Sequence, residues 1–130
     1  MKRIILVEDE QTLREMLERK LKKSGYEVET AVDGEEGLGK IKEQKPDLVL
    51  LDIVMPKMDG FTVMEEVRKD ETVSNTPIII VSNSGQPVEL DRAQQLGVKD
   101  WIIKTEFDPM EVVDMVDRYF KSLDQVDSSD

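Results

Sequence analysis

The sequence contains no cysteine and no histidine. Without cysteine there is no disulfide scaffold, no thiol nucleophile and no thiolate-bound zinc. Without histidine there is no imidazole base, no His nucleophile and no His-ligated metal. Any metal held here is therefore a hard ion bound through oxygen, such as Mg²⁺. Basic side chains are scarce as well: 18 Lys and Arg stand against 29 Asp and Glu, a formal net charge of −11. That balance disfavours non-specific nucleic-acid binding, which rests on cations neutralising phosphates, and it disfavours docking on anionic lipid. No apolar run approaches the ~20 residues of a membrane span. Lys2 and Arg3 precede only the short run at residues 4–7, which ends in Glu8-Asp9-Glu10, so this stretch does not read as a secretory signal. The expected compartment is the cytoplasm.

What is present fits one domain, since 130 residues fall within the usual ~100–200. Five apolar bursts recur, at residues 4–7, 26–31, 48–51, 78–81 and 101–103. The first, third and fourth are continuous and rich in Ile, Val and Leu, as in strands covered on both faces of a parallel sheet. Amphipathic stretches lie between them. Leu13, Met16, Leu17 and Leu21 follow helical spacing and Gly25 offers a C-cap. Leu38 and Ile41 mark a second helix, weakened by Gly37 and Gly39 at roughly 1 kcal/mol each against Ala. Phe61, Met64 and Val67 mark a third, and Val88, Ala93 and Leu96 a fourth. The fifth opens on Asp108-Pro109 with Glu111 completing a capping box, and its apolar face runs from Val112 to Leu123. The order predicts a (βα)₅ chain: an α/β fold with a doubly wound, parallel, five-stranded sheet and right-handed crossovers. Residues 1–123 form the expected domain and residues 124–130 a short, acidic, disordered tail.

Ligands of open α/β sheets bind at the carboxyl ends of the strands. There the sequence places Glu8 and Asp9 after the first strand, Asp52 after the third, Ser82 and Asn83 at the fourth and Lys104 after the fifth. A single acid at a strand end is most often a solvated loop residue or a helix cap. A convergent set is different, because carboxylates about 4 Å apart repel by ~1 kcal/mol in bulk water and ~4 kcal/mol at an effective dielectric of 20. Such a cluster calls for a cation or a bound proton. With no His or Cys available, Mg²⁺ is the natural cation, and its taste for waters and phosphate oxygens points to phosphoryl chemistry.

Several segments together carry a family resemblance: LVEDE at 6–10, LLDIVMPKMDG at 50–60, IIIVSNS at 78–84, LGVKDWIIK at 96–104 and DPME at 108–111. Across residues 2–123 the chain closely resembles the receiver domain of bacterial two-component response regulators, in the single-domain form used in chemotaxis. The resemblance implies a flavodoxin-like sheet of strand order 2-1-3-4-5. It implies that Asp52 accepts a phosphoryl group and that Mg²⁺ is held by Asp9, Asp52 and the Val54 carbonyl, with Glu8 acting through water. Lys104 would pair with Asp52 at rest and with a phosphoryl oxygen afterwards. Ser82 would offer its hydroxyl to the phosphoryl group, and Trp101 would rotate inward as the switch aromatic. The surface built by the fourth helix, fifth strand and fifth helix would then carry the signal. Such a domain is not an enzyme beyond its own phosphorylation and dephosphorylation.

Three positions depart from the usual pattern. Thr105 follows Lys104 where the family usually has Pro after a cis bond. A cis Lys-Thr bond costs ~2.5–4 kcal/mol, so trans and strained cis geometries are both open there. Asn83 stands where a small residue is common and would narrow access to the phosphoryl group. Glu8 replaces the commoner Asp. The resemblance further implies a sensor histidine kinase or phosphotransfer protein as donor, and a downstream protein target. The domain would make no direct contact with nucleic acid or membrane, and would be a monomer or a weak phosphorylation-dependent dimer. Arg14, Arg19, Lys20, Lys22 and Lys23 make the first helix the most basic stretch and the expected docking face; the plain alternative is a solvated helix face. No effector domain is visible after the fifth helix, so the chain is expected to be a free-standing regulator or a receiver taken from a longer protein. Rival readings are a Mg²⁺-dependent phosphohydrolase or Toprim-like enzyme, and a degenerate receiver that binds partners without phosphorylation. The first two want a D-x-D element, after the first and third strand respectively. Glu8-Asp9 are adjacent, and Val54 follows Asp52 at the required spacing.

Overall fold

The protein is described by a computed structural model covering residues 1–83, 85–106 and 108–128, with side chains through residue 123. Ser84 of the fourth-strand motif, and residues 129 and 130 of the expected tail, lie outside the described residues. The elements in order are β1 (Arg3–Val7), α1 (Gln11–Lys23), β2 (Glu27–Ala31), α2 (Gly34–Gln44), β3 (Leu48–Leu51), α3 (Gly60–Lys69), β4 (Ile78–Ser82), α4 (Pro87–Gln95), β5 (Asp100–Ile103) and α5 (Pro109–Ser128), with a 3₁₀ turn at Lys104–Glu106 before α5. All strand pairs are parallel and the sheet order is β2-β1-β3-β4-β5.

The pleat divides each strand between two cores, because successive side chains point to opposite faces. In β1, Ile4 and Leu6 join Leu17 and Leu21 of α1 and Val112, Val113 and Val116 of α5. Ile5 and Val7 join Ile41 of α2, Val63 and Met64 of α3 and Ala93 of α4. Helices therefore cover both faces, which is why β1, β3 and β4 read as unbroken apolar runs. The strand order turns back at β1 and β3, and this opens a crevice at their carboxyl ends where such folds bind ligands.

Local caps set where the helices begin. The Asp33 side chain accepts from the Glu36 amide at 2.8 Å and the Asp59 side chain from the Thr62 amide at 2.9 Å. The capping box expected at α5 is present: Asp108 Oδ1 accepts from the Glu111 amide at 3.1 Å, and Glu111 Oε1 accepts from the Asp108 amide at 3.3 Å. At its other end α5 runs to Ser128, five residues past Leu123. The first five residues of the expected tail thus continue the helix.

The opposite edge of the sheet is tied together by Arg68 at the end of α3. Its Nε donates to the Leu96 carbonyl at 2.7 Å, and its Nη1 donates to the carbonyls of Ser74 at 3.0 Å and Thr76 at 2.7 Å. One guanidinium therefore joins the α3–β4 and α4–β5 connections. Arg68→Ala is expected to lower stability by about 2–4 kcal/mol in urea denaturation, since charge-assisted hydrogen bonds contribute ~1.5–3 kcal/mol each and are not additive.

Candidate functional site

The site grows from the ends of β1, β3, β4 and β5. The Asp52 amide donates to the Val7 carbonyl at 3.1 Å, which carries the β1–β3 pairing one residue past the strand and sets Asp52 beside the acidic pair. Asp52 and Glu8 are buried, whereas Asp9 is exposed. Carboxylate oxygens of Glu8, Asp9 and Asp52 lie within 4.8 Å of one another.

Lys104 reaches this cluster from the far side of the sheet. Its Nζ lies 2.7 Å from Glu8 Oε1 and 2.8 Å from Asp52 Oδ2. The remaining oxygens are also engaged. Asp52 Oδ1 accepts from the Ile53 amide at 2.7 Å, and Glu8 Oε2 accepts from the Glu10 amide at 3.0 Å. Burial pushes the Glu8 carboxyl above its ordinary range and the Asp52 charge adds to this, so the opposing pull of Lys104 and the Glu10 amide is not enough to restore it. Burial alone would lower the Lys104 ammonium. The hydrogen bonds and charges of Asp52 and Glu8 outweigh that and hold it above its ordinary value.

The other expected residues frame the same open cleft. Asp9, Asp52, Val54, Ser82, Asn83, Lys104 and Thr105 all line it. Ser82 is buried at the end of β4, Asn83 is exposed, and Val54, 72% exposed, lies on the cleft's border. No cis peptide occurs among the described residues, so Lys104–Thr105 is trans and begins the 3₁₀ turn. Trp101 sits apart from the cleft. It pairs with Ile80 across β4 and β5 and packs, half-buried, against the core under α2, α3 and α4.

Two contacts go beyond the sequence reading. One is the Lys104–Glu8 ion pair, since Glu8 was assigned to metal and water alone. The other is Arg14, whose Nη1 donates to the backbone carbonyls of Glu8 at 3.0 Å and Asp9 at 3.3 Å. Arg14 therefore braces the β1–α1 turn as well as belonging to the basic stretch of α1.

The donor set tests whether a divalent cation suits the cleft. Three carboxylates offer hard oxygen ligands within 4.8 Å of one another, a donor type that fits Mg²⁺ and not a soft metal.

A family model described as "Response regulator receiver domain" matches residues 4–117. A probable transcriptional regulator ycf27 of Guillardia theta is 41% identical over 110 residues, covering 85% of this chain and 42% of that protein. The alkaline phosphatase synthesis transcriptional regulatory protein PhoP of Bacillus subtilis is 37% identical over 111 residues, covering 85% of this chain and 45% of that one. The chain thus spans about half the length of the curated relatives it matches. Among solved structures, chemotaxis protein CheY4 of Vibrio cholerae superposes with a TM-score of 0.83 at 31% identity, covering 91% of this chain and 98% of that one. A chain of the CheX-CheY-BeF3-Mg complex from Borrelia burgdorferi gives 0.82 at 30% identity, covering 92% and 89%.

Proposed function

This chain belongs to the response regulator receiver domain family, whose general function is phosphorylation-based signalling, and from that membership we propose that Asp52 is its phosphoacceptor. One observation carries the assignment: Asp52 lies buried beside Glu8, the two bridged by Lys104, at the crevice where the strand order turns back. A carboxylate oxygen of Asp52 bonds to the donor's phosphorus, the bond from phosphorus to the donor's leaving atom breaks, and an acyl phosphate results. The Ile53 amide on Oδ1 fixes the carboxylate's orientation, so the acceptor does not lose rotational freedom during the reaction. Lys104 holds a fixed positive charge where phosphoryl oxygens gather negative charge. Ser82 and Asn83 border the same space, with Ser82 able to donate its hydroxyl to a phosphoryl oxygen.

Glu8, Asp9, Asp52 and the Val54 carbonyl would hold Mg²⁺, which when bound neutralises phosphoryl charge and aligns the transferring group. The related Borrelia complex contains BeF3 and Mg²⁺, which supports a reading in which a divalent cation and a phosphoryl-like group act together. The test is incubation of the protein with Mg²⁺ and acetyl phosphate, followed by intact-mass analysis. A gain of one phosphoryl group is expected, with acetate released; an unchanged mass overturns the assignment.

The proposed donor is the phosphohistidine of a sensor kinase or phosphotransfer protein, docking on α1. Of the basic residues there, Arg14 is bonded to the acidic turn and Lys22 is paired with Glu18 at 2.9 Å, while Arg19 and Lys23 are exposed. Reversing Arg19 and Lys23 to Glu is expected to slow phosphotransfer from a purified phosphohistidine donor roughly tenfold at low salt and less at high salt. An unchanged rate at both salts would assign this helix face to solvent. Output is proposed to pass through the surface of α4, β5 and α5, with Trp101 as the aromatic that changes position between two states. That surface would address a partner protein or a further domain, such as the transcriptional-regulator relatives suggest.

A further inference from the structure

We propose that Gly34, at the start of α2, is a positioning residue for the metal site, acting through the loop between β3 and α3. The inference rests on the reading of Asp52 and the Val54 carbonyl as metal ligands, and it assigns a role to a helix that reading leaves idle. The loop spans residues 52–59 and begins at Asp52 itself. Its two ends are held by close backbone approaches to glycine. At one end the Gly60 amide donates to the Ile53 carbonyl at 2.8 Å, and a Cβ on Gly60 would stand 2.3 Å from the Asp52 carbonyl oxygen. At the other end a Cβ on Gly34 would stand 1.9 Å from the Met58 carbonyl oxygen and 2.8 Å from its carbon.

The obstructing atoms at Gly34 are backbone, so they cannot turn aside as a side chain would. The loop between the two contacts has little slack. Lys57 holds a left-handed φ of 69° and the Met58 amide donates to the Pro56 carbonyl at 2.8 Å. Asp33, the cap of α2, adds an ion pair to Lys57 at 3.7 Å. Bulk at residue 34 must therefore displace Met58, and the displacement is passed back along the loop, four residues to Val54 and six to Asp52. The other glycines of α2 behave differently. A Cβ on Gly37 would meet the side chain of Val7 at 2.8 Å, and one on Gly39 would meet nothing within 4 Å.

The experiment is Mg²⁺ titration by calorimetry on the full chain, with amide hydrogen exchange in EDTA as a metal-free readout. Gly34→Ala is expected to weaken Mg²⁺ about tenfold, in the range seen when the groups that orient metal ligands are altered. The Met58 and Gly60 amides should exchange faster in that variant before any metal is added. Gly39→Ala should bind as wild type. Arg68→Ala, destabilised at the opposite edge of the sheet, should also bind as wild type, which separates positioning from general loosening. Wild-type affinity in Gly34→Ala, or equal weakening in all three variants, overturns the proposal. Should Gly34→Ala fail to fold, Lys57→Met decides. Removing a cation beside an acidic site strengthens Mg²⁺ by charge alone, so a roughly twofold weakening there supports positioning by the α2–loop contact, and equal or tighter binding overturns it. A wild-type protein that binds no Mg²⁺ would instead defeat the underlying reading of the ligands.

Discussion

Asp52→Asn is expected to abolish phosphorylation by acetyl phosphate entirely, with the intact mass unchanged after incubation with Mg²⁺. The substitution keeps the size and shape of the side chain, and its carbonyl oxygen can still accept from the Ile53 amide, where Asp52 Oδ1 now does at 2.7 Å. What it removes is the anionic oxygen that forms the bond to phosphorus, and a neutral amide does not replace that nucleophile. The fold should survive, because Lys104 keeps its ion pair with Glu8 at 2.7 Å and one of three mutually repelling carboxylates becomes neutral. Circular dichroism and a thermal melt in EDTA check this directly. An adduct of equal yield in Asp52→Asn would place the acceptor elsewhere among the 29 acids and sink the assignment.

The residues that announced this site did so through position along the chain. The unbroken runs in β1, β3 and β4 mark strands buried on both faces, and the residue after each run falls at the same edge of the sheet. Strand order along the chain alone brings Glu8, Asp9, Asp52, Ser82 and Lys104 to one end of the fold. It does not say which of them touch. β1 and β5 are separated in the sheet by β3 and β4, so the 2.7 Å contact between Glu8 and Lys104 depends on how far a lysine arm reaches across two strands. No local pattern encodes that reach.

The glycines of α2 show a second kind of illegibility. Read by helix propensity, Gly37 and Gly39 weaken the helix. In the structure Gly37 lies where a Cβ would press on Val7, and Gly34 where one would strike the Met58 backbone, so these two permit close packing. Only Gly39, with open space around it, retains the simple propensity cost. Propensity is a property of a residue in its own helix, whereas these contacts come from β1 and from a loop two elements later. The helix end at Ser128 was hidden for a related reason. The apolar spacing reports only the part of α5 that faces the sheet, so it does not set where the helix ends.

Lys104→Met should make the protein's stability depend on Mg²⁺. In the metal-free protein the ammonium bonds both Glu8 and Asp52, and Met fills similar space with no charge. Breaking a buried ion pair by removing one partner costs about 3–5 kcal/mol, and the opening of this cleft to solvent puts the expected loss near the lower end, about 3 kcal/mol in EDTA. Two things should restore stability. Saturating Mg²⁺ should do so by supplying the missing positive charge, giving a larger rise in Tm than in wild type. Lowering the pH should do so as well, because burial already raises the Glu8 carboxyl and the loss of Lys104 removes an opposing pull. A carboxyl raised in the folded state takes up its proton more readily there than in the unfolded chain. Its protonation therefore adds stability as the pH falls through the folded value, and that gain is lost as the pH rises through it. Phosphorylation should respond in the opposite direction to metal binding. Mg²⁺ affinity should increase, since the competing ammonium is gone, while the rate of adduct formation falls by roughly 10²–10³, the usual loss on removing one group that stabilises transition-state charge. Thermal melts with and without Mg²⁺, calorimetric titration and timed intact-mass measurements separate these effects. A variant equally stable in EDTA and Mg²⁺ would show that Lys104 is not what holds the carboxylates together, and an undiminished phosphorylation rate would remove it from the transfer step.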